Sequence, residues 1–340
     1  MKTLLNCDEP YNLSPMQYPW AFEQYKQARK NFWNPEQVNM TRDIASFQSL
    51  TDAEQAMFLD VFSTLTTADL AIQENLSTRI YDTLQPPEIR LWLGHQAADE
   101  ALHSYSYQHI IECLSLDDAS IYQRYKQRPY LLQKFELGNT YARMIQSDDA
   151  LDTVLGLTFF WIAWEGLWFY HGFTPILALG RQGKMQGTCE QLLYIARDEY
   201  GHFSFGLRLI VELIRELGLE NDRVLHTRLS ELFTSVYRAE EIYAQQVIQP
   251  LLGYSAQVHL DHLRFLIKTR LQQLGVDVTL YPQAENAIPW LSEMLEMKKE
   301  RNFFETHVTE YQSGARLEFE RVSLDDISNW NKVDTVKVNS

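Results

Sequence analysis

The sequence predicts an all-α protein with a four-helix bundle at its core. Apolar residues recur at helical spacing along most of the chain, and no stretch alternates apolar and polar residues over a convincing strand. A carboxylate and an imidazole also stand three residues apart twice, in Glu100–His103 and in Glu199–His202. On a helix this spacing places both groups on one face, and two such helices are typical of bundles that hold two metal ions.

Composition narrows the functional class. The 340 residues are 45% apolar, so a large core can form without disulfides. The net charge of −15 argues against a nucleic-acid partner, whose phosphates require a basic surface. The three cysteines form no CxxC pair, which indicates reduced thiols. Because no secretory signal is recognisable, we expect a cytoplasmic protein.

The helices are predicted from the N-terminus onward. Prolines mark an irregular arm over residues 1–19, and a helix that begins near Trp20 is broken at Asn34-Pro35. Thr51 and Glu54 form a capping box that opens a long helix, and Pro86-Pro87 separates it from the next. Further long helical patterns lie near 148–180, 185–217, 222–250 and 256–275.

The C-terminal part of the sequence differs from the rest. From about Glu305 the apolar periodicity fades and polar residues dominate. We therefore predict a helical domain over residues 1–305 and a flexible tail over 306–340.

One segment, 154–173, is apolar enough to raise the question of a membrane span. It also contains Glu165 and His171, which would be costly in lipid, and Pro175 follows. The sequence therefore predicts a buried core helix and no membrane segment.

Polar residues interrupt the apolar stripes of four predicted helices. Asp69 replaces an apolar residue at a core position of the first, where an unpaired carboxylate would be costly. The other three helices also carry ionisable residues at core positions. Two of them carry a glutamate and a histidine, and the third carries a single glutamate. The resulting set of inward-facing residues is Asp69, Glu100, His103, Glu165, Glu199 and His202.

This set matches the ligands of a carboxylate-bridged pair of metal ions. Carboxylates are hard oxygen donors that can bridge two cations, and neutral imidazole binds iron and manganese. A single Glu-x-x-His pair is expected by chance, and a lone buried histidine is usually an ordinary core residue. Six such residues in core positions of four consecutive long helices are poorly explained in that way.

These residues resemble the small, radical-generating subunit of class I ribonucleotide reductase. The resemblance covers about residues 20–312. Its strongest local stretches are 98–107, 195–199 and 286–290, and residues 302–305 with Glu310-Tyr311 are similar to that family's run into its C-terminal tail.

The resemblance implies a homodimeric, ferritin-like helical protein with additional helices around the bundle. It implies a dimetal centre that reacts with an oxygen species and stores an oxidising equivalent. That equivalent passes by proton-coupled electron transfer to a large catalytic subunit, which reduces ribonucleoside diphosphates to deoxyribonucleotides.

Residue roles follow by position from the resemblance. The six inward-facing residues correspond to the metal ligands, and Tyr107 to the tyrosine that becomes the stored radical. Trp33, Asp198 and His103 resemble the internal relay. Tyr311 resembles the tail tyrosine that transfers the oxidation to the partner, through a tail that docks on the large subunit.

An apolar pocket around the radical is also implied. Phe169 and Phe173 lie four and eight residues after Glu165, and Ile195 lies four before Glu199. They match the family's pocket residues, although ordinary core packing explains the same pattern.

Some features leave the cofactor open. The first ligand is Asp69 where some members have glutamate, and Tyr107 stands where a manganese–iron branch has phenylalanine. This favours an Fe/Fe centre with a tyrosyl radical. Mn/Mn or Mn/Fe centres, oxidation stored on the metals and an activating flavoprotein remain alternatives.

Three other classes of protein are alternatives. A dimetal oxidase of the same scaffold would bind a long-chain ligand with the same six ligands, but would lack a relay and a tail tyrosine. A ferritin-like iron store would have shorter, less aromatic subunits. A helical interaction protein would bind no metal.

Overall fold

Residues 3–294 are described by a computed structural model of the protein. The predicted tail over 306–340, Tyr311 and the end of the predicted 1–305 domain lie outside the described residues. Helices account for most of residues 3–294, and no strand longer than an isolated bridge occurs there. The α-helices are α1 Pro19–Ala28, α2 Asp43–Gln48, α3 Asp52–Asn75, α4 Tyr81–Thr83, α5 Pro87–Cys113, α6 Asp118–Gln127, α7 Pro129–Met144, α8 Ala150–Thr158, α9 Tyr170–Gly172, α10 Thr174–Gly180, α11 Gln186–Glu216, α12 Arg223–Val247 and α13 Ala256–Leu274.

Several helix ends follow the expected local signals. Thr51 and Glu54 form the predicted capping box at the start of α3. Pro87 is the first residue of α5, where its missing N–H costs nothing. The first helix ends at Ala28, earlier than the predicted break, and Pro35 begins a short 3₁₀ turn, Pro35–Gln37.

Four long elements form the centre of the fold. These are α3, α5, α11 and a run of π-helix over Phe159–Phe169 that directly continues α8. Helix α3 packs against α5, while α11 packs against both α5 and the π-helix. Helix α1 covers α5 and α11 from outside, and α12 and α13 pack beside them.

The π-helix is a difference from the predicted regular helix. All eleven of its residues are buried, so no hydrophilic face fixes the α-helical register. π-helical segments are rare and frequently lie at functional sites. Glu165, the only acid of this segment, lies within it.

The apolar segment 154–173, which was predicted to be a buried core helix, is helical and buried in the structure. By length and composition, Ala150–Gly180 is the one helical run of the described chain that could cross a membrane. In its most apolar window, however, 83% of the residues are buried inside the protein. The run therefore packs as the prediction requires.

Candidate metal centre

The six predicted ligands lie together in the middle of the bundle. Asp69 comes from α3, Glu100 and His103 from α5, Glu165 from the π-helix, and Glu199 and His202 from α11. None of the six side chains is more than 1% exposed. The structure thus brings together residues that are up to 133 positions apart in the sequence.

The six residues form two overlapping groups. One contains Asp69, Glu100, His103 and Glu199, and the other contains Glu100, Glu165, Glu199 and His202. Within each group the potential ligand atoms lie within 4.8 Å of one another. Because Glu100 and Glu199 belong to both groups, each can offer oxygens to two neighbouring cations. Such sharing is what a carboxylate-bridged metal pair requires.

Both histidines direct Nδ1 toward the carboxylates. Nδ1 of His103 lies 3.1 Å from Oε1 of Glu199. Nδ1 of His202 lies 3.2 Å from Oε1 of Glu100 and 3.2 Å from Oε2 of Glu199. Nδ1 is therefore the nitrogen available to a metal ion, and Nε2 faces away from the centre.

Each Nε2 faces an aspartate of the opposite helix. Nε2 of His103 lies 3.7 Å from Oδ2 of Asp198, and Nε2 of His202 lies 3.2 Å from Oδ2 of Asp99. Asp198 was predicted, but Asp99 was missed. The signal was present in the sequence, because both motifs read Asp-Glu-x-x-His.

The donor atoms fit a pair of cations. Buried atoms that find no hydrogen-bond partner among the described residues include both carboxylate oxygens of Asp69, one oxygen each of Glu100, Glu165 and Glu199, and both ring nitrogens of His103. Orphaned buried polar atoms are costly, and metal ions would satisfy them.

Electrostatics point the same way. Burial, with the charge of Glu100, raises the pKa of Asp69, and burial, with the charge of Glu199, raises the pKa of Glu165. Burial alone would lower the pKa of His103, but the nearby carboxylates of Asp198, Glu100 and Glu199 outweigh it and raise that pKa. The cluster thus concentrates negative charge at a buried position, and bound cations would neutralise it.

Comparison with known proteins identifies the family. A sequence profile of the ribonucleotide reductase small chain matches residues 10–287. Over 333 residues the chain is 33% identical to the ribonucleoside-diphosphate reductase subunit beta of Chlamydia pneumoniae, covering 93% of this chain and 94% of that protein. The chain belongs to the ribonucleotide reductase small-chain family.

Solved structures agree with the fold. The ribonucleotide reductase R2 subunit from Clostridium botulinum has a TM-score of 0.80 at 24% identity, covering 86% of this chain and 94% of that one. The dimanganese(II)-NrdF of Streptococcus sanguinis has a TM-score of 0.68 at 21% identity, covering 83% and 97%. The predicted ferritin-like, all-α fold of a reductase small subunit is confirmed.

Trp33, Asp198 and His103, the residues predicted for the internal relay of the small subunit, lie next to one another. Nε1 of Trp33 donates a hydrogen bond to Oδ2 of Asp198 at 2.7 Å, and the same oxygen faces His103. The Trp33 indole is 3% exposed and stacks on Tyr194, with ring centres 5.2 Å apart. Arg197 donates to the other oxygen of Asp198 at 2.9 Å. Asp198 therefore contacts both Arg197 and the predicted ligand His103.

Tyr107 is fully buried one helical turn beyond His103. Burial and the charge of Asp69 raise the pKa of its phenol. Its described ring contact is an edge-to-face one with Phe62, at 6.0 Å between ring centres. Phe62 was not among the predicted pocket residues.

The three predicted pocket residues are Phe169, Phe173 and Ile195, and all are buried. Phe169 and Phe173 stack on each other at 6.4 Å. Their role toward Tyr107 stays a prediction.

Proposed function

We propose that this chain is the radical-generating subunit of its reductase. It would hold two metal ions with the six predicted ligands, store an oxidising equivalent at Tyr107 and pass it to the large subunit. The observation that carries the proposal is the pair of ligand groups that share Glu100 and Glu199, with a buried tyrosine one turn away. When bound, the metal ions would supply the redox chemistry toward an oxygen species.

The donor set supports iron or manganese. Four carboxylates balance the charge of two divalent ions, and imidazole suits both metals. We favour Fe/Fe because a tyrosine stands at position 107. The similar Streptococcus sanguinis structure is a dimanganese(II) protein. Mn/Mn and Mn/Fe centres are therefore the alternatives against which Fe/Fe must be tested.

The chain's own residues would protect and receive the oxidation. Burial of Tyr107 keeps water and reductants away from a phenoxyl radical. The Asp69 carboxylate, whose charge acts on the phenol, is the acceptor we assign to the phenol proton. From there, His103, Asp198 and Trp33 would carry the proton and the electron outward.

Assembly completes the proposal. The small subunit of a class I reductase works with a large subunit. We propose that it acts as a homodimer and that the tail over 306–340 docks on the large subunit, where Tyr311 continues the relay. An activating flavoprotein is kept as an alternative source of the oxidant.

A long-chain-ligand oxidase is less well supported. An apolar cavity bordered by Leu65, Ala68 and Phe169 has a volume of about 20 Å³. That is room for a water-sized molecule and far below the volume of an ordinary ligand pocket. The line from Trp33 to His103 also has no evident use in such an oxidase.

Electron paramagnetic resonance tests the proposal. Metal-free protein is loaded anaerobically with Fe(II), Mn(II) or both and then exposed to oxygen, in wild type, Tyr107→Phe and, as a buried control, Tyr243→Phe. We expect a sharp tyrosyl signal that is lost only in Tyr107→Phe, with metal content unchanged. A manganese-coupled signal that persists in Tyr107→Phe would place the oxidation on the metals. Two bound metals without any oxidised species would favour the long-chain-ligand oxidase or the need for an activating flavoprotein.

A further inference from the structure

Three tryptophans surround one phenylalanine between the protein surface and the metal centre. We propose that Trp161, Trp92 and Trp20 form a second electron path, which carries single electrons from a small soluble reductant to the centre through Glu165. This inference rests on the proposed function, because it needs a centre that is oxidised. It adds a route separate from the one through Trp33.

The inner end of the path is hydrogen-bonded to a ligand. Nε1 of Trp161 donates to Oε1 of Gln96 at 3.0 Å, and Nε2 of Gln96 donates to Oε1 of Glu165 at 2.8 Å. All three side chains are completely buried. Gly206 lets the indole lie directly against α11, since a Cβ there would be 2.0 Å from Cγ of Trp161.

The outer part of the path is a cluster of rings around Phe205. The Phe205 ring centre lies 6.0 Å from that of Trp161, 4.5 Å from that of Trp92 and 5.3 Å from that of Trp20. Trp92 and Phe205 are nearly parallel, at 6°. Trp20 is only half-buried and so provides an end that solution reductants can approach. Phenylalanine is hard to oxidise, but it keeps the three indoles within short electron-transfer steps of one another.

The two paths differ in what they can carry. Trp33 donates its N–H to the Asp198 carboxylate, which can accept a proton. Trp161 donates to the amide oxygen of Gln96, which is a very weak base. Trp161 would therefore keep its proton when oxidised and conduct electrons alone. The paths also reach different ligand groups, since Trp33 leads to His103 and Trp161 leads to Glu165.

Each step balances as a one-electron transfer. Trp161 gives one electron to the metal centre and becomes an indole radical cation that retains its N–H. Trp92 and then Trp20 replace that electron in turn. A one-electron reductant such as ascorbate gives one electron to the Trp20 radical cation, which returns to neutral indole, and releases one proton to the solvent. The Arg208 guanidinium, 4.7 Å from the Trp20 ring centre, disfavours positive charge there, so the oxidation does not rest at the surface end.

Rapid mixing tests the inner end. Fe(II)-loaded protein is mixed with oxygen, with and without ascorbate, while the broad visible band of an indole radical cation is followed. We expect a transient band that ascorbate shortens in wild type and that is lost in Trp161→Phe. The matched control is Trp164→Phe, since Trp164 lies on the same π-helix but packs against Phe135 and Phe159. An unchanged band and ascorbate response in Trp161→Phe would overturn the proposal.

A metal-free experiment tests the outer end without relying on the proposed function. The protein is oxidised by flash-generated ruthenium(III) tris(bipyridine), and oxidation products at Trp161 are measured by peptide mass spectrometry. We expect products at Trp161 in wild type, and their loss in Trp20→Phe. Trp290→Phe is the control, because Trp290 is also half-buried, with the Arg181 guanidinium 4.6 Å from its ring centre.

The two experiments separate the possible failures. The electron path is overturned if wild-type protein gives no oxidation products at Trp161. It is also overturned if Trp20→Phe gives as much product at Trp161 as wild type does. If iron-loaded wild type shows no oxidised species, the proposed function fails, while the metal-free result still decides whether the path conducts.

Discussion

Oδ2 of Asp99 lies 3.2 Å from Nε2 of His202, although the two residues come from different helices, α5 and α11. Asp198 of α11 faces Nε2 of His103 of α5 in the same way. Each aspartate directly precedes a shared glutamate, so each helix directs one carboxylate to the candidate metal centre and one to the histidine of the opposite helix. Such outer carboxylates fix the ring orientation and raise the basicity of a ligand histidine.

Replacing Asp99 tests this arrangement. We expect Asp99→Asn to weaken metal binding by about 10- to 100-fold, the usual effect of losing a partner of a ligand histidine. Affinity is measured by competition with a chelator. Glu112→Gln is the control, because it makes the same charge change at an exposed position of α5. Equal affinities in the two variants would mean that Asp99 does not orient His202.

The shared and unshared ligands should behave differently. Glu199→Ala removes oxygens from both ligand groups, so the metal content should fall sharply at both positions. Asp69→Ala leaves the group of Glu165 and His202 intact, so about one metal ion per chain should remain.

Elemental analysis after removal of free metal measures the metal content of the Glu199→Ala and Asp69→Ala variants. Glu112→Gln should retain the full load. A full two-metal load in Glu199→Ala would show that the ligand assignment is wrong.

Sequence periodicity could predict which polar residues face the core, but not the partners of those residues. Helical spacing shows which face of a helix is buried, and Asp69 and Glu165 stood out as acids on such faces. Contacts such as that of Asp99 with His202 depend on how two helices pack, which spacing along one helix does not define. The family resemblance supplied Asp198 and Trp33 for the same reason.

The π-helix illustrates a different limit. Its eleven residues are apolar on every side except at Glu165. The sequence pattern therefore does not distinguish an α-helix from a π-helix in this segment. Rings of other helices, such as Tyr141 and Phe205, pack against the segment, and spacing along the segment does not reveal these contacts. Gly206 gives no such signal in the sequence, and only the structure shows that Trp161 packs against it.

A buried ion pair away from the metal centre should control acid stability. Nζ of Lys134 lies 2.6 Å from Oε2 of Glu240, and Nε2 of His259 lies 2.8 Å from Oε1. Burial alone would raise the pKa of Glu240, but the charge of Lys134 and the hydrogen bond from His259 outweigh it and lower the pKa from 4.5 to about 2. Because the folded pKa is depressed, the stabilisation is complete above pH 4.5 and is lost as the pH falls toward 2.

Unfolding of metal-free protein checks this prediction. Glu240→Gln should lower the free energy of unfolding by about 3–5 kcal/mol at neutral pH, because Lys134 stays buried without its partner. The difference from wild type should shrink as the pH falls below 4.5. The double variant Lys134→Met/Glu240→Gln should recover much of the loss. A loss that does not change with pH would contradict an ionised Glu240.

Two glycines of α11 provide a matched test of the packing beside the centre. A Cβ at Gly206 would lie 2.0 Å from Cγ of Trp161, whereas a Cβ at Gly201 would have its nearest neighbour, Trp92, at 4.0 Å. Gly206→Ala should therefore lower the free energy of unfolding by about 1–3 kcal/mol, because a buried indole must move. Gly201→Ala should leave stability unchanged or raise it by about 0.5–1 kcal/mol, since alanine is the better helix former. Thermal unfolding of the two metal-free variants measures the difference, and equal melting temperatures would show that Trp161 does not pack against α11 as described.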